Sequence, residues 1–147
     1  MTRPFAAATI LLGLLAALGS ALHGQSVQTY SARLSTVPLA AYSADVVGSG
    51  EVTATVTGTR LSIQGTFKGL ATPATVARIH TSWKPGIRGE AIFELTIAKA
   101  TSGTITGIFN LTPEQAFEIR QHRYYIQIHS EKGLAPDGAN LWGWLLR

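Results

Sequence analysis

The feature that most limits what this chain can become is a period of two. From Val52 to Thr57, Val52, Ala54 and Val56 fall on one side and Thr53, Thr55 and Thr57 on the other. A half-buried strand needs this pattern, because its successive side chains point to opposite faces. Leu61, Ile63, Gly65 and Phe67 repeat the alternation after Gly58-Thr59, so the two runs read as an antiparallel hairpin with a short connection. Further runs span Thr75 to Thr81, Ala91 to Ala98, Thr104 to Leu111, Tyr124 to Ser130 and Asn140 to Leu146. Gly or Pro punctuates nearly every gap, among them Gly69, Pro73, Pro85-Gly86, Gly103, Gly133 and Gly138. Tyr30 to Thr36 reads as one more strand, with a loop after Pro38.

Short strands at this spacing predict an all-β domain. The expected fold is an antiparallel β-sandwich of about seven to nine strands, immunoglobulin-like or superoxide dismutase-like with Greek-key character. One segment departs from the period of two. Thr112-Pro113-Glu114-Gln115 offers a cap, a Pro at the first helical position and a Gln three after the Thr. Ala116, Phe117 and Ile119 follow as a short apolar face, so one or two helical turns near 112–121 are expected, tucked over an open end of the sandwich.

The 147 residues amount to one domain, and 46% hydrophobic against 14% charged residues suits a packed core. There is no cysteine, so neither a disulfide framework nor a lipid-modified N-terminal cysteine is available. Arg3, the uncharged stretch Pro4 to Leu22 and the small residues Gly19, Ser20 and Ala21 predict a secretory signal over 1–24, cut after Ala21 or Gly24. A single uncleaved anchor is the alternative, but the stretch is rich in Ala and Gly and lacks a basic stop-transfer cluster. The domain proper then runs over 25–147 and is secreted or periplasmic, without membrane insertion once the leader is gone. Losing Arg3 with the leader takes the formal charge from +4 to +3. The remaining cations are scattered rather than gathered in a stripe, which argues against a nucleic-acid partner.

The order of several segments resembles a known family. Ser31-Ala32-Arg33-Leu34 with Pro38, GSGEVTATVTG from Gly48 to Gly58, LSIQGTFKGL from Leu61 to Leu70 and ATVARIH from Ala74 to His80 come first. SGTITGIFNLTPEQ from Ser102 to Gln115, YYIQIHSE from Tyr124 to Glu131, and finally Gly143 and Leu145 complete the set. The set is similar to a CHRD domain, the module named after chordin. That resemblance implies a β-rich extracellular domain, found in bacterial secreted proteins and in chordin, with no agreed catalytic activity. It also implies two departures: CHRD domains commonly carry His-Ile-His where this chain has Arg78-Ile79-His80, and an Arg where Trp142 precedes Gly143. If the two places adjoin in space, Arg78 restores the cation lost at Trp142.

The histidines carry the chemistry to be weighed. His80 and His129 are each preceded by Ile and followed by a hydroxyl residue, and each reads as the end of a strand. On a period of two, Arg78 and His80 share a face, as do Tyr125, Gln127 and His129; Ala77, Ile79, Tyr124, Ile126 and Ile128 take the other. Arg78, His80, Gln127 and His129 then form one polar cluster if their strands adjoin, suited to an anion, a metal or a partner's side chain. The alternative role is structural, with each imidazole hydrogen-bonded so as to fix a loop. Two imidazoles fall short of a zinc or copper site; the extra candidates are His122, Glu131, Glu90 and Asp137, and His122, read as exposed, does not complete a set. No cofactor is expected, and His80 and His129 are weak metal candidates. Arg78 would repel a metal and favour an acidic partner.

Three functional classes follow. The first is a non-enzymatic binding or scaffolding module for a protein or carbohydrate ligand. The second is a copper–zinc superoxide dismutase-like enzyme using His80 and His129, against which stand the missing His-x-His pair and His-rich loop. The third is an adhesive module for carbohydrate or peptide, using Trp83 in the loop after His80 and Trp142 and Trp144 on one strand face with Asn140 and Leu146; the loop Trp83 to Gly89, an aromatic with the two cations Lys84 and Arg88, is the first choice for a partner-facing loop. Tryptophans more often pack than protrude, in the core or under the helical turn, so exposure of these three decides that reading. A Ser-His-Asp hydrolase is weaker still, since no Gly-x-Ser-x-Gly elbow is present and Gly48-Ser49-Gly50 lacks its spacing and following helix.

Overall fold

The structure is a computed structural model that describes residues 26–147; the expected leader over 1–24 and its cleavage site lie outside them. Eight strands and one helix follow in the order β1 (Val27–Thr36), β2 (Ser49–Thr57), β3 (Arg60–Lys68), β4 (Ala74–Thr81), β5 (Ala91–Ile97), β6 (Gly103–Asn110), α1 (Pro113–Arg120), β7 (Tyr124–Leu134) and β8 (Ala139–Trp144). No helix among the described residues is long and apolar enough to cross a membrane.

The expected sandwich is instead a closed barrel, β1-β2-β3-β6-β5-β4-β7-β8, antiparallel throughout. Strands β4, β5 and β6 run consecutively with β7 returning beside β4, which is a Greek key. Two four-stranded halves, β1-β2-β3-β6 and β5-β4-β7-β8, meet at narrow seams. At one, β5 and β6 pair only through Thr96↔Thr106 and Ile97↔Ile105. At the other, β1 leaves β2 after Leu34↔Gly50 and joins β8 through Ser35↔Trp142 and Thr36↔Leu141. Such short seams leave no trace in hydrophobic periodicity, since a sandwich and a barrel of the same strands alternate alike.

Glycines within the strands permit the curvature. A Cβ at Gly65 would lie 2.5 Å from the Glu51 carbonyl oxygen, and one at Gly143 2.5 Å from that of Arg33. Backbones approach there more closely than any side chain allows, as tight bends in a barrel require. Inside, small residues face large ones across the strands: Tyr30 opposes Ala54, Ala54 opposes Ile63, and Ile63 opposes Gly107. Such pairing of small with large residues suits a narrow barrel interior. Ala77, Ile79, Tyr124, Ile126 and Ile128 point inward as the alternation predicts.

The helix forms for the reasons its first residues suggest. Thr112 Oγ1 accepts from the Gln115 amide at 3.2 Å, and Gln115 Oε1 accepts from the Thr112 amide at 2.9 Å. This reciprocal cap stabilises a short helix by about 1 kcal/mol. Ala116 and Ile119 enter the core, so α1 stoppers one end of the barrel. Its exit places His122 in the left-handed region at φ 56°. His122 is half-buried, its ring edge-on to Tyr30 at 6.3 Å, rather than exposed as the sequence suggests.

Candidate functional site

A strand with one wet face buries every second residue, as β2 does, but β7 buries all seven from Tyr124 to Ser130. Its outward residues Tyr125, Gln127 and His129 are therefore covered from outside the barrel. Two segments fold over this side of the barrel, and the β7–β8 turn closes on His129 through the Asp137 carbonyl. Residues 37–48 fold over β8, packing Val37 and Val46 on Ala139, with Leu39, Leu134 and Trp142 alongside. Beneath them the fully buried Asn140 donates to Ser130 Oγ at 2.8 Å and to the Asp45 carbonyl at 3.3 Å. The loop 82–90 folds over β4 and β7.

That second loop is latched at Gly89. Its carbonyl accepts from Nδ1 of His80 at 3.0 Å and from the Tyr125 hydroxyl at 3.3 Å, while its amide donates to the same hydroxyl at 3.0 Å. Only glycine fits, since a Cβ would stand 1.7 Å from the Thr81 carbonyl oxygen. Beyond the latch, Trp83 is 65% exposed with the Lys84 ammonium 4.3 Å over its ring, and Ile87 is exposed as well.

The register brings the expected cluster together. Arg78 lies opposite Gln127, His80 opposite Tyr125 and Val76 opposite His129, all on the outer face of adjacent strands. The arrangement is a row rather than a knot, with Arg78 and Gln127 between the two imidazoles. Arg78 reaches Glu94 on the next strand at 3.5 Å.

Both imidazoles are anchored through Nδ1. His129 Nδ1 donates to the Asp137 carbonyl at 2.8 Å, and its Nε2 lies 3.1 Å from the Gln127 amide nitrogen. A carbonyl only accepts and an amide nitrogen only donates, so this ring carries its hydrogen on Nδ1 and a lone pair on Nε2. His80 has the same tautomer from its bond to Gly89, but its buried Nε2 meets no partner among the described residues. Burial pushes the His80 pKa down, the charges of His129 and Arg78 push the same way, and the Gly89 carbonyl and Asp137 oppose them. His80 is thus neutral at neutral pH. Burial raises the Tyr125 phenol, which keeps its hydrogen for Gly89.

The aromatics form a second layer on the same face. Tyr125, only 1% exposed, stacks on His80 at 4.9 Å, meets Trp144 at a tilt with centroids 4.5 Å apart and lies edge-on to Trp142 at 5.9 Å. Trp142 and Trp144 are half-buried around it, neither in the barrel core nor under the helix. Two expectations change. His129 does not end a strand, because β7 continues to Leu134 past an irregularity at Ile128/His129. The cation beside Trp142 is Arg88, 6.0 Å over the ring. Arg78 is separated from Trp142 by Gln127, which pairs with both, so it does not restore the missing cation there.

Tyr125 escaped the sequence reading as a member of this site, although it falls on the same alternating face as His129; Arg88 and Gly89 lie in the loop Trp83 to Gly89 that the sequence marks as partner-facing, but their contacts with Trp142, His80 and Tyr125 are not legible there. Among the described residues no three His, Cys, Asp or Glu side chains converge as metal ligands.

A family model described as the CHRD domain matches residues 30–139. Among the curated proteins and the solved structures compared, none matches the chain.

Proposed function

The chain belongs to the CHRD domain family, and from that premise we propose that it is an exported, non-enzymatic binding or scaffolding module. Its ligand-facing surface is the outer face of β4, β7 and β8 with the loop 82–90. The observation that carries this reading is the latched loop: a hub of His80, Tyr125 and Gly89 holds Trp83 and Lys84 out from the barrel and Arg88 over Trp142. A pre-ordered aromatic and cationic loop loses little entropy on binding, and aromatic and Arg side chains are the anchors that interfaces favour. Arg78, Gln127 and His129 continue the row beside the hub on the same outer face.

The dismutase-like reading is weaker on the same geometry. Gln127 engages Nε2 of His129, and Arg78 stands between the imidazoles with its permanent charge. The adhesive reading is one form of the proposal, with Trp83, Trp142 and Trp144 as the stacking residues.

The test is a printed array of peptides and glycans probed with the wild type and a Trp83→Ala, Arg88→Gln variant. Saturable binding to defined probes that falls about tenfold or more in the variant supports the reading. Binding unchanged by the variant, or a metal-dependent activity lost on replacing His80, overturns it. Export is tested separately by mass spectrometry of the mature protein, which should begin after Ala21 or Gly24.

A further inference from the structure

We propose that the cleft where β1 parts from β2 is a second binding site, for a hydroxylated carboxylate of the sugar-acid class. Pairing between the two strands stops at Leu34↔Gly50, and Ser35 and Thr36 turn away to β8. Strand β2 still runs back to Ser49, paired with Lys68. The parting opens a cleft of about 720 Å³, within the roughly 300–1,000 Å³ usual for small-molecule sites.

The chemistry of its walls selects the ligand. Arg33, Glu51 and Thr66 stand in one cross-strand row, with Ser49 and Lys68 in the next. Arg33 and Lys68 are exposed and neither forms an ion pair, since Arg78–Glu94 is the only one among the described residues. An Arg fork takes a carboxylate through two hydrogen bonds, and a nearby Lys adds a point charge. Glu51 and the hydroxyls of Ser49 and Thr66 suit a ligand with several hydroxyl groups. The carboxylate of Glu51 also disfavours a second negative charge, which argues for a monoanion over a phosphate. These residues are distinct from those of the loop 82–90, so this inference stands or falls separately from the proposed function.

The experiment is an amide NMR titration of the full chain with glucuronate, with glucose as the neutral control and a galacturonate oligomer as the polymer probe. The expected result is saturable shifts at residues 33–36, 48–51 and 66–68 with glucuronate, and a response to glucose at least about tenfold weaker. An Arg33→Gln, Lys68→Gln variant should bind about tenfold or more weakly at an unchanged unfolding midpoint. Arg60→Gln, an exposed cation elsewhere on β3, should leave affinity unaltered. Tighter binding of the oligomer supports a polymer as the source of the sugar acid, and equal or weaker binding supports the free acid. No saturable shifts through the millimolar range, an equal response to glucose, shifts confined to other residues, full affinity in the double variant, or equal weakening by Arg60→Gln would each overturn the site.

Discussion

Strands β2 and β7 are built from the same alternation yet live in different surroundings. On β2 the outward residues Thr53, Thr55 and Thr57 meet solvent, wholly or in part. On β7 the outward Tyr125 lies under the loop 82–90, and His129 is held by the Asp137 carbonyl of the β7–β8 turn with Gln127 hydrogen-bonded beside it. The difference teaches that polar residues on a strand do not by themselves mark a wet face. Where they are imidazoles, amides and phenols with backbone partners, they mark a second layer bolted onto the barrel. Buried polar groups of this kind are stable only when paired, which ties the two layers to each other.

Substitutions can break this contrast. The largest effect is expected at Tyr125, whose ring and hydroxyl join His80, Trp142, Trp144 and Gly89. Tyr125→Ala should cost about 3–5 kcal/mol of stability in denaturant unfolding; a cost below about 1 kcal/mol would mean that the outer layer is not packed. Gly89→Ala follows, because its Cβ has no room beside Thr81. We expect a loss of about 1–3 kcal/mol, accompanied by faster proteolysis within 82–90, and cleavage there at the wild-type rate would show that the latch does not hold the loop.

A pH series sharpens the comparison further. His80 is depressed by burial first, then by His129 and Arg78, with Gly89 and Asp137 opposing. The unfolded chain therefore takes up this proton before the folded one on acidification. The contribution is fully present above about pH 6.5, the ordinary imidazole value, and is lost as pH falls toward the lowered value in the fold. Unfolding midpoints should fall between about pH 7 and pH 5, and His80→Gln should flatten that slope. A slope unchanged in the variant would assign it to other groups. The smallest effect belongs to β2, where Thr53→Ala should change stability by no more than about 0.5 kcal/mol; a larger loss would erase the contrast with β7.

Much of the fold is legible in the residues, for reasons visible at particular places. Alternation predicts the strands, and Thr112-Pro113-Glu114-Gln115 predicts a helix that forms with both halves of its cap. Face-sharing also groups Arg78, His80, Gln127 and His129 correctly, because β4 and β7 are neighbours. Closure is less legible, since it depends on two-pair seams and on glycines such as Gly65 and Gly143 whose meaning lies in the carbonyl across the strand. The hub at Gly89 is illegible in sequence, because it joins residues 36 positions apart through a backbone carbonyl and amide. Arg88 displaces Arg78 as the neighbour of Trp142 for the same reason: a loop folds back over the sheet, and strand register does not report loops.

The most direct test of the central claim, a binding module whose imidazoles serve as latches, is copper and zinc titration with elemental analysis of the mature protein. The comparison is between wild type and a His80→Ala, His129→Ala double variant. The account predicts no stoichiometric metal in either protein and a less stable variant with a looser 82–90 loop. One metal ion per chain in the wild type, lost in the variant, would contradict it.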